Sequence, residues 1–345
     1  MNEGLLAVSL VWLFVFIYAI LGSIDFGAGF WGMVHRNEVQ GEAGALANRF
    51  LSPTWEVTNV FLVLLVVTLV SFFPAAIYTV GMALLLPGSL VLILLTIRSA
   101  MMAFQHSVRR FKGALEVVSG VTGVLIPSLL VSVLPILTGG FIDPESGMLR
   151  VGKLFTSPVT YAYLAFGLSS QLFLSASFLA DYAREADNEP SYRVFRRHAV
   201  RLGPLTLITA VLTTWTIGQE ASWLRQQLLE EGRWFLLSIL AFLIGYLALF
   251  WKRRDRQKYR GWPRVAFILF IIQYALASFA YGRAHLPYLV YPSLTVDNSV
   301  TNPEMFRLLM VSYGIGLAIL IPGFYLFWRL FLKDKRYLAP KEEGE

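Results

Sequence analysis

Hydrophobic residues in this chain come in long unbroken runs separated by short polar connections. The runs lie near residues 5–33, 55–73, 76–105, 115–137, 158–181, 199–218, 234–251, 263–283 and 305–328. A helix needs about 20 apolar residues to cross a hydrocarbon layer of roughly 30 Å. The pattern therefore predicts an all-α polytopic membrane protein with about nine transmembrane helices, forming one integral membrane domain over residues 1–345. Two four-helix bundles plus one peripheral helix are expected from the count, although no periodicity marks the division. The first run opens on MNEG with almost no basic residues and no convincing small-residue cleavage site, so it is expected to be retained. The connection at 74–75 is short and carries Pro74, which predicts a tight hairpin between the second and third helices.

Composition agrees with the pattern. Hydrophobic residues make up 56% of the 345, charged residues 15%, and mean hydropathy is +0.61. Soluble domains are nearer 45–50% apolar and 25% charged, so an ordinary cytosolic enzyme, a disordered tail and a secreted knot are all excluded. The absence of cysteine removes disulfides, thiolate metal sites and iron–sulfur clusters.

The net charge of +7 is informative through its distribution. Of 29 Lys and Arg, 22 fall in 34–54, 106–114, 182–201, 252–264 and 329–345, and only five in the alternating connections. Positive residues accumulate on the cytoplasmic side of membrane proteins. The alternation therefore predicts an N-terminus outside and a C-terminus in the cytoplasm. It also reads the run KRRDRQKYR (252–260) as a topology signal, and nucleic acid is not expected as a partner.

Ionisable residues inside spans cost about 2.5–3.5 kcal/mol each near a helix centre. Asp25, Glu56 and Arg98 stand out, on consecutive helices and toward the cytoplasmic side. They are expected to be neighbours, with Arg98 as the structural ion-pair candidate facing one carboxylate or both. Such a cluster serves either helix packing or proton conduction; Asp25, Glu56 and His106 are the proton-path candidates. Around Asp25 the sequence reads GSIDFGAGFWG (22–32). Ser23 and Gly27 are four apart, as are Asp25 and Gly29, so these small residues are expected to share the carboxylate's helix face and admit a neighbouring backbone. His35, His106 and His198 fall at cytoplasmic helix ends and His285 outside; none is expected to pair with another at the depth of a bis-histidine haem. Trp31, Trp55, Trp223, Trp234, Trp251, Trp262 and Trp328 lie near span ends, which reads as an aromatic belt. No clustered metal-ligand set and no catalytic motif is visible, so no catalytic residue and no metal site are expected in this chain.

These segments together resemble subunit II of cytochrome bd-type quinol oxidases. The family's D-x-x-D-x-G-x-G pattern appears here as GSIDFGAG (22–29), its P-x-W-[DE] motif as PTWE (53–56), and its third-helix arginine as Arg98 in TIRSAMMAFQHS. The segment AHLPYLVYPSLTVDNSVTNPEMF (284–306) looks like the family's proline-flanked outer loop. The resemblance implies a haem-free subunit of the bacterial plasma membrane, paired with a haem-bearing subunit I that carries haem b and haem d. The complex oxidises quinol and reduces dioxygen to water. A small accessory membrane subunit is a further candidate partner, and the bilayer itself surrounds the chain. The resemblance also implies delivery of cytoplasmic protons, for which Asp25 and Glu56 are the candidates.

Departures from the family pattern leave a shorter carboxylate relay, one that uses water and neutral side chains, or none: Gly22 stands where many relatives have an earlier aspartate, the stretch after Trp55 reads EVTNVF, and Gln105 stands roughly where many relatives keep an acid. The choice between ubiquinol and menaquinol stays open. Two other readings remain beside this one, a secondary transporter and a purely structural partner subunit with no proton path.

Overall fold

The computed structural model describes residues 3–36, 42–104, 112–143, 145–251, 259–327 and 329. Its helices are α1 (Glu3–Val34), α2 (Glu42–Phe72), α3 (Pro74–Ala83), α4 (Leu85–Phe104), α5 (Lys112–Val131), α6 (Val133–Thr138), α7 (Val151–Thr156), α8 (Pro158–Glu185), α9 (Glu189–Glu220), α10 (Ser222–Glu230), α11 (Gly232–Ala248), α12 (Pro263–His285), α13 (Val296–Ser299) and α14 (Pro303–Phe327). A two-stranded antiparallel ribbon, β1 (Tyr288–Val290) with β2 (Leu294–Thr295), precedes α13. Among the described residues eight stretches are long and apolar enough to cross a membrane. The pair α10–α11, bent by 71°, makes a ninth when taken as one broken span.

Two helix groups emerge from the packing. One holds α1, α2, α4 and α5, the other α8, α9, α11 and α12, and α1 also packs along α8 to join them. Peripheral α14 rests mainly on α2, where Phe61 stacks on Phe324 with ring centroids 5.0 Å apart and Thr68 donates to the Tyr313 hydroxyl at 2.9 Å. None of its most apolar window is buried.

Several helix limits differ from the hydropathy pattern, and proline explains the clearest of them. The expected third helix, 76–105, is two helices that meet at Leu84. Pro87 has no N–H to donate four residues back, and its ring crowds the carbonyl of residue 83, where α3 ends. The same rule divides α5 from α6, since Pro135 frees the carbonyl of Val131, the last residue of α5. Two prolines inside continuous helices liberate carbonyls that neighbouring helices use. Pro127 frees the Gly123 carbonyl, which accepts from Gln171 Nε2 of α8 at 2.7 Å; Pro204 frees that of Val200, which accepts from the Tyr246 hydroxyl of α11 at 2.9 Å. At these two places the proline gives rise to a cross-helix hydrogen bond and leaves no orphaned acceptor.

The polar stretch 182–201, expected as a connection, is helical except for a turn at 186–188. Hydropathy misses it because its charges satisfy one another. The Asn188 side chain caps α9 by accepting from the Ser191 N–H at 3.0 Å, and Glu189 pairs with Arg193 one turn on. Asp181 accepts from Arg184 at 2.8 Å and from Arg264 of α12 at 3.0 Å. Likewise α2 starts at Glu42, thirteen residues before its apolar run.

Candidate functional site

Asp25 lies nine residues before the end of α1, about 13 Å along the axis from Val34. Its Oδ2 accepts from Arg98 Nη2 of α4 at 3.3 Å, and both side chains are only 4% exposed. The guanidinium has further acceptors. Nη1 donates to the Ser119 carbonyl of α5 at 2.7 Å and meets Ser119 Oγ and Thr122 Oγ1 at 3.3 Å each. Nη2 also reaches the Asp25 main-chain oxygen at 3.2 Å, and the cation stands 5.0 Å from the centre of the Phe26 ring. A buried guanidinium demands this many partners because it cannot lose its charge.

Small residues make the close approach possible. A Cβ on Gly29 would stand 2.6 Å from Ser119 Oγ and 3.1 Å from Arg98 Nη1, so the cation and its α5 acceptors need a glycine there. Gly123 of α5 is pressed against α1 in the same way, its absent Cβ only 2.4 Å from the Phe26 carbonyl. The expected single small face around Asp25 is two faces. Asp25 and Gly29 turn toward α4 and α5, whereas Gly27 turns toward α8, where a Cβ would stand 2.2 Å from Ser175 Oγ. Residues two apart on a helix point to opposite sides, and α1 is central enough to need close contact on both. Ser23 is half-buried.

The remaining candidates do not join this pair. Glu56 is exposed on α2, on the same stripe as Val60, Val63, Val67 and Val70, and its carboxylate has no ion-pair partner among the described residues. Arg98 is thus counter-ion to Asp25 alone. His106 and Gln105 lie outside the described residues.

Three polar atoms around the pair have no hydrogen-bond partner among the described residues: Asp25 Oδ1, Arg98 Nε and the Tyr18 hydroxyl. Tyr18, two turns before Asp25 on α1, lies within electrostatic reach of both charges. It escaped notice in the sequence because a tyrosine in an apolar run reads as core.

A second cluster, which the sequence does not lead us to expect, lies at the end of α1. His35, just past α1, and His198 of α9 meet with Nε2 atoms 3.1 Å apart. Trp31, expected in an interfacial belt, is buried beside them at 4% exposure and donates to Ser175 Oγ at 3.0 Å. The imidazoles are too close to be trans axial ligands of one haem, which would need roughly 4 Å between ring nitrogens. Among the described residues no group of three or more His, Asp or Glu side chains gathers at a point.

Comparison with known proteins assigns the architecture. The model of the cytochrome bd terminal oxidase subunit II family matches residues 4–331. The chain belongs to that family. It is 44% identical over 343 residues to the putative cytochrome bd menaquinol oxidase subunit II of Bacillus subtilis (strain 168), covering 99% of both chains. Its fold matches a chain of the bd oxidase from Geobacillus thermodenitrificans with a TM-score of 0.82 and 37% identity, over 97% of this chain and all of that one. As a subunit II of a cytochrome bd-type oxidase, the protein is part of a quinol-oxidising oxidoreductase complex with a subunit I partner, and the secondary-transporter reading is set aside.

Proposed function

We propose that this chain is the haem-free subunit II of a bacterial plasma-membrane oxidase, that it holds a haem b- and haem d-bearing subunit I in place, and that it supplies that subunit with cytoplasmic protons through Asp25. Reduction of dioxygen to water consumes protons, and drawing them from inside makes the reaction electrogenic. The observation that carries the reading is the Asp25–Arg98 pair, buried within the span with three neighbouring polar atoms left for water to satisfy. Water needs two to four polar partners to enter such a place, and Asp25 Oδ1, Arg98 Nε and Tyr18 offer three. A carboxylate beside ordered water, held by a permanent cation, is a group that can take a proton and release it.

Glu56 supports the docking half of the proposal. An exposed carboxylate on a valine-lined helix face is unfavourable against lipid, and a partner subunit covering that face would supply the missing contacts. The orientation, with the N-terminus outside and the C-terminus in the cytoplasm, is supported by the 22-to-5 distribution of positive residues. The spacing of His35 and His198 supports assigning the haems to subunit I. The name of the Bacillus subtilis relative points to menaquinol as the substrate of the complex.

The rival reading, a purely structural ion pair, has the several acceptors that both terminal nitrogens of Arg98 find on α1 and α5 in its favour. Turnover and proton uptake by the assembled oxidase separate the two. With normal haem content, Asp25→Asn lowers both by about tenfold or more if protons pass through Asp25. Unchanged rates in Asp25→Asn and in Glu56→Gln would leave the structural role alone standing.

A further inference from the structure

The Asp25–Arg98 site leaves unexplained the two histidines that α1 and α9 bring together ten residues further along α1, roughly 15 Å away along the axis. We propose that His35 and His198 form a binding site for one divalent transition-metal ion of the zinc class. Their Nε2 atoms are 3.1 Å apart. Two imidazole nitrogens each about 2.05 Å from a common zinc ion and separated by that distance subtend about 98° at it, between the square-planar and tetrahedral angles. The spacing that is too short for trans ligands of a haem therefore suits adjacent ligands of a single ion.

The rings are held in place before any ion arrives. Trp31 packs against both, with centroids 4.4 Å from His198 and 5.9 Å from His35. Phe195, one turn before His198, presents its edge to His35 at 6.1 Å. Trp31 is itself tied to Ser175 of α8 through its indole N–H. Preorganisation of this kind lowers the ordering cost of ligation. His35 is 5% exposed and His198 half-buried, so the pair lies at the margin of the packed core. Two neutral imidazoles with water select zinc, copper or nickel over magnesium and calcium, which prefer oxygen. A bound ion would clamp the end of α1 to α9 and so join the two helix groups.

The alternative reading of a 3.1 Å contact is a direct Nε2–H···Nε2 hydrogen bond. Zinc binding to the whole purified oxidase decides between them. The complex, stripped with EDTA and desalted, is equilibrated with zinc chloride, and bound zinc is counted against haem by elemental analysis. The expected result is one more zinc bound by the wild-type complex than by His198→Gln or His35→Gln, or an affinity at least about tenfold weaker in the variants. Equal zinc in wild-type and His198→Gln at unchanged haem content overturns the proposal. Should both variants fail to assemble, the zinc absorption edge of the wild-type complex decides: two imidazole scatterers in one shell support the site, and fewer overturn it.

Discussion

Replacing Asp25 by asparagine isolates the electrostatic part of the buried pair, because the amide keeps the shape and can still accept from Arg98. At 3.3 Å and an effective dielectric of about 20, the charge–charge attraction is about 5 kcal/mol. A neutral hydrogen bond from the asparagine restores about 1 kcal/mol, leaving a destabilisation of about 4 kcal/mol, within the range for breaking a buried ion pair. Arg98→Met is expected to cost less, about 2 kcal/mol, since a carboxylate stripped of its cation can take up a proton whereas a guanidinium cannot give one away. The double variant Asp25→Asn/Arg98→Met buries no charge, and its expected cost of about 3 kcal/mol lies below the sum of the singles by a coupling of about 3 kcal/mol.

The assay is unfolding of the purified complex in mixed dodecylmaltoside–SDS micelles, followed through haem absorbance and subunit separation. Two results would refute the reasoning. One is a coupling below about 0.5 kcal/mol, the level at which independent sites add. The other is Arg98→Met costing more than Asp25→Asn, which would locate the stabilisation in the Ser119 and Thr122 contacts and not in the charge pair.

Two further predictions concern other parts of the fold. Gly27→Ala sets a methyl against Ser175 Oγ and is expected to destabilise by about 1–3 kcal/mol; Ser175→Gly in the same chain should recover part of the assembled complex, measured as haem per milligram of membrane protein, and no recovery would mean that the clash is relieved elsewhere. In the 139–157 connection, hydrogen bonds from Arg150 and then Ser146 hold the Asp143 carboxyl below the usual carboxylate range. A depressed folded-state value means stabilisation present above the ordinary carboxylate range and lost as pH falls through the lowered one. Protection of the Gly147 amide, which donates to the Asp143 carbonyl at 2.8 Å, should therefore fall on acidification in hydrogen-exchange measurements corrected for intrinsic rate, and Asp143→Asn should abolish that dependence.

What the sequence reveals here follows from which forces act within one segment and which act between segments. Burial in lipid is a property of a run, so the spans and their number are legible from hydropathy. The 22-to-5 division of positive residues is likewise a sum over connections and reads directly. Pairing is different. Asp25 and Arg98 are 73 positions apart, yet expecting them together succeeds because an intramembrane charge leaves so few acceptable partners.

The histidines obey no such scarcity. His35 and His198 are 163 positions apart, and hydropathy puts both at helix ends where water alone would satisfy either one, so nothing in their segments demands the contact. It arises because α1, central to both helix groups, extends its last turn beside an α9 that starts ten residues before its apolar run. That early start depends on the Asn188 cap and on charges that neutralise one another along the helix, features to which a hydropathy window is blind. The division of the glycine patch into two faces has the same origin. Spacing alone puts Asp25 with Gly29 and Gly27 opposite them, but only the position of α1 between α5 and α8 makes both sides an interface. A central helix in a membrane bundle therefore hides its second face from any reading that assumes one side meets protein and the other lipid.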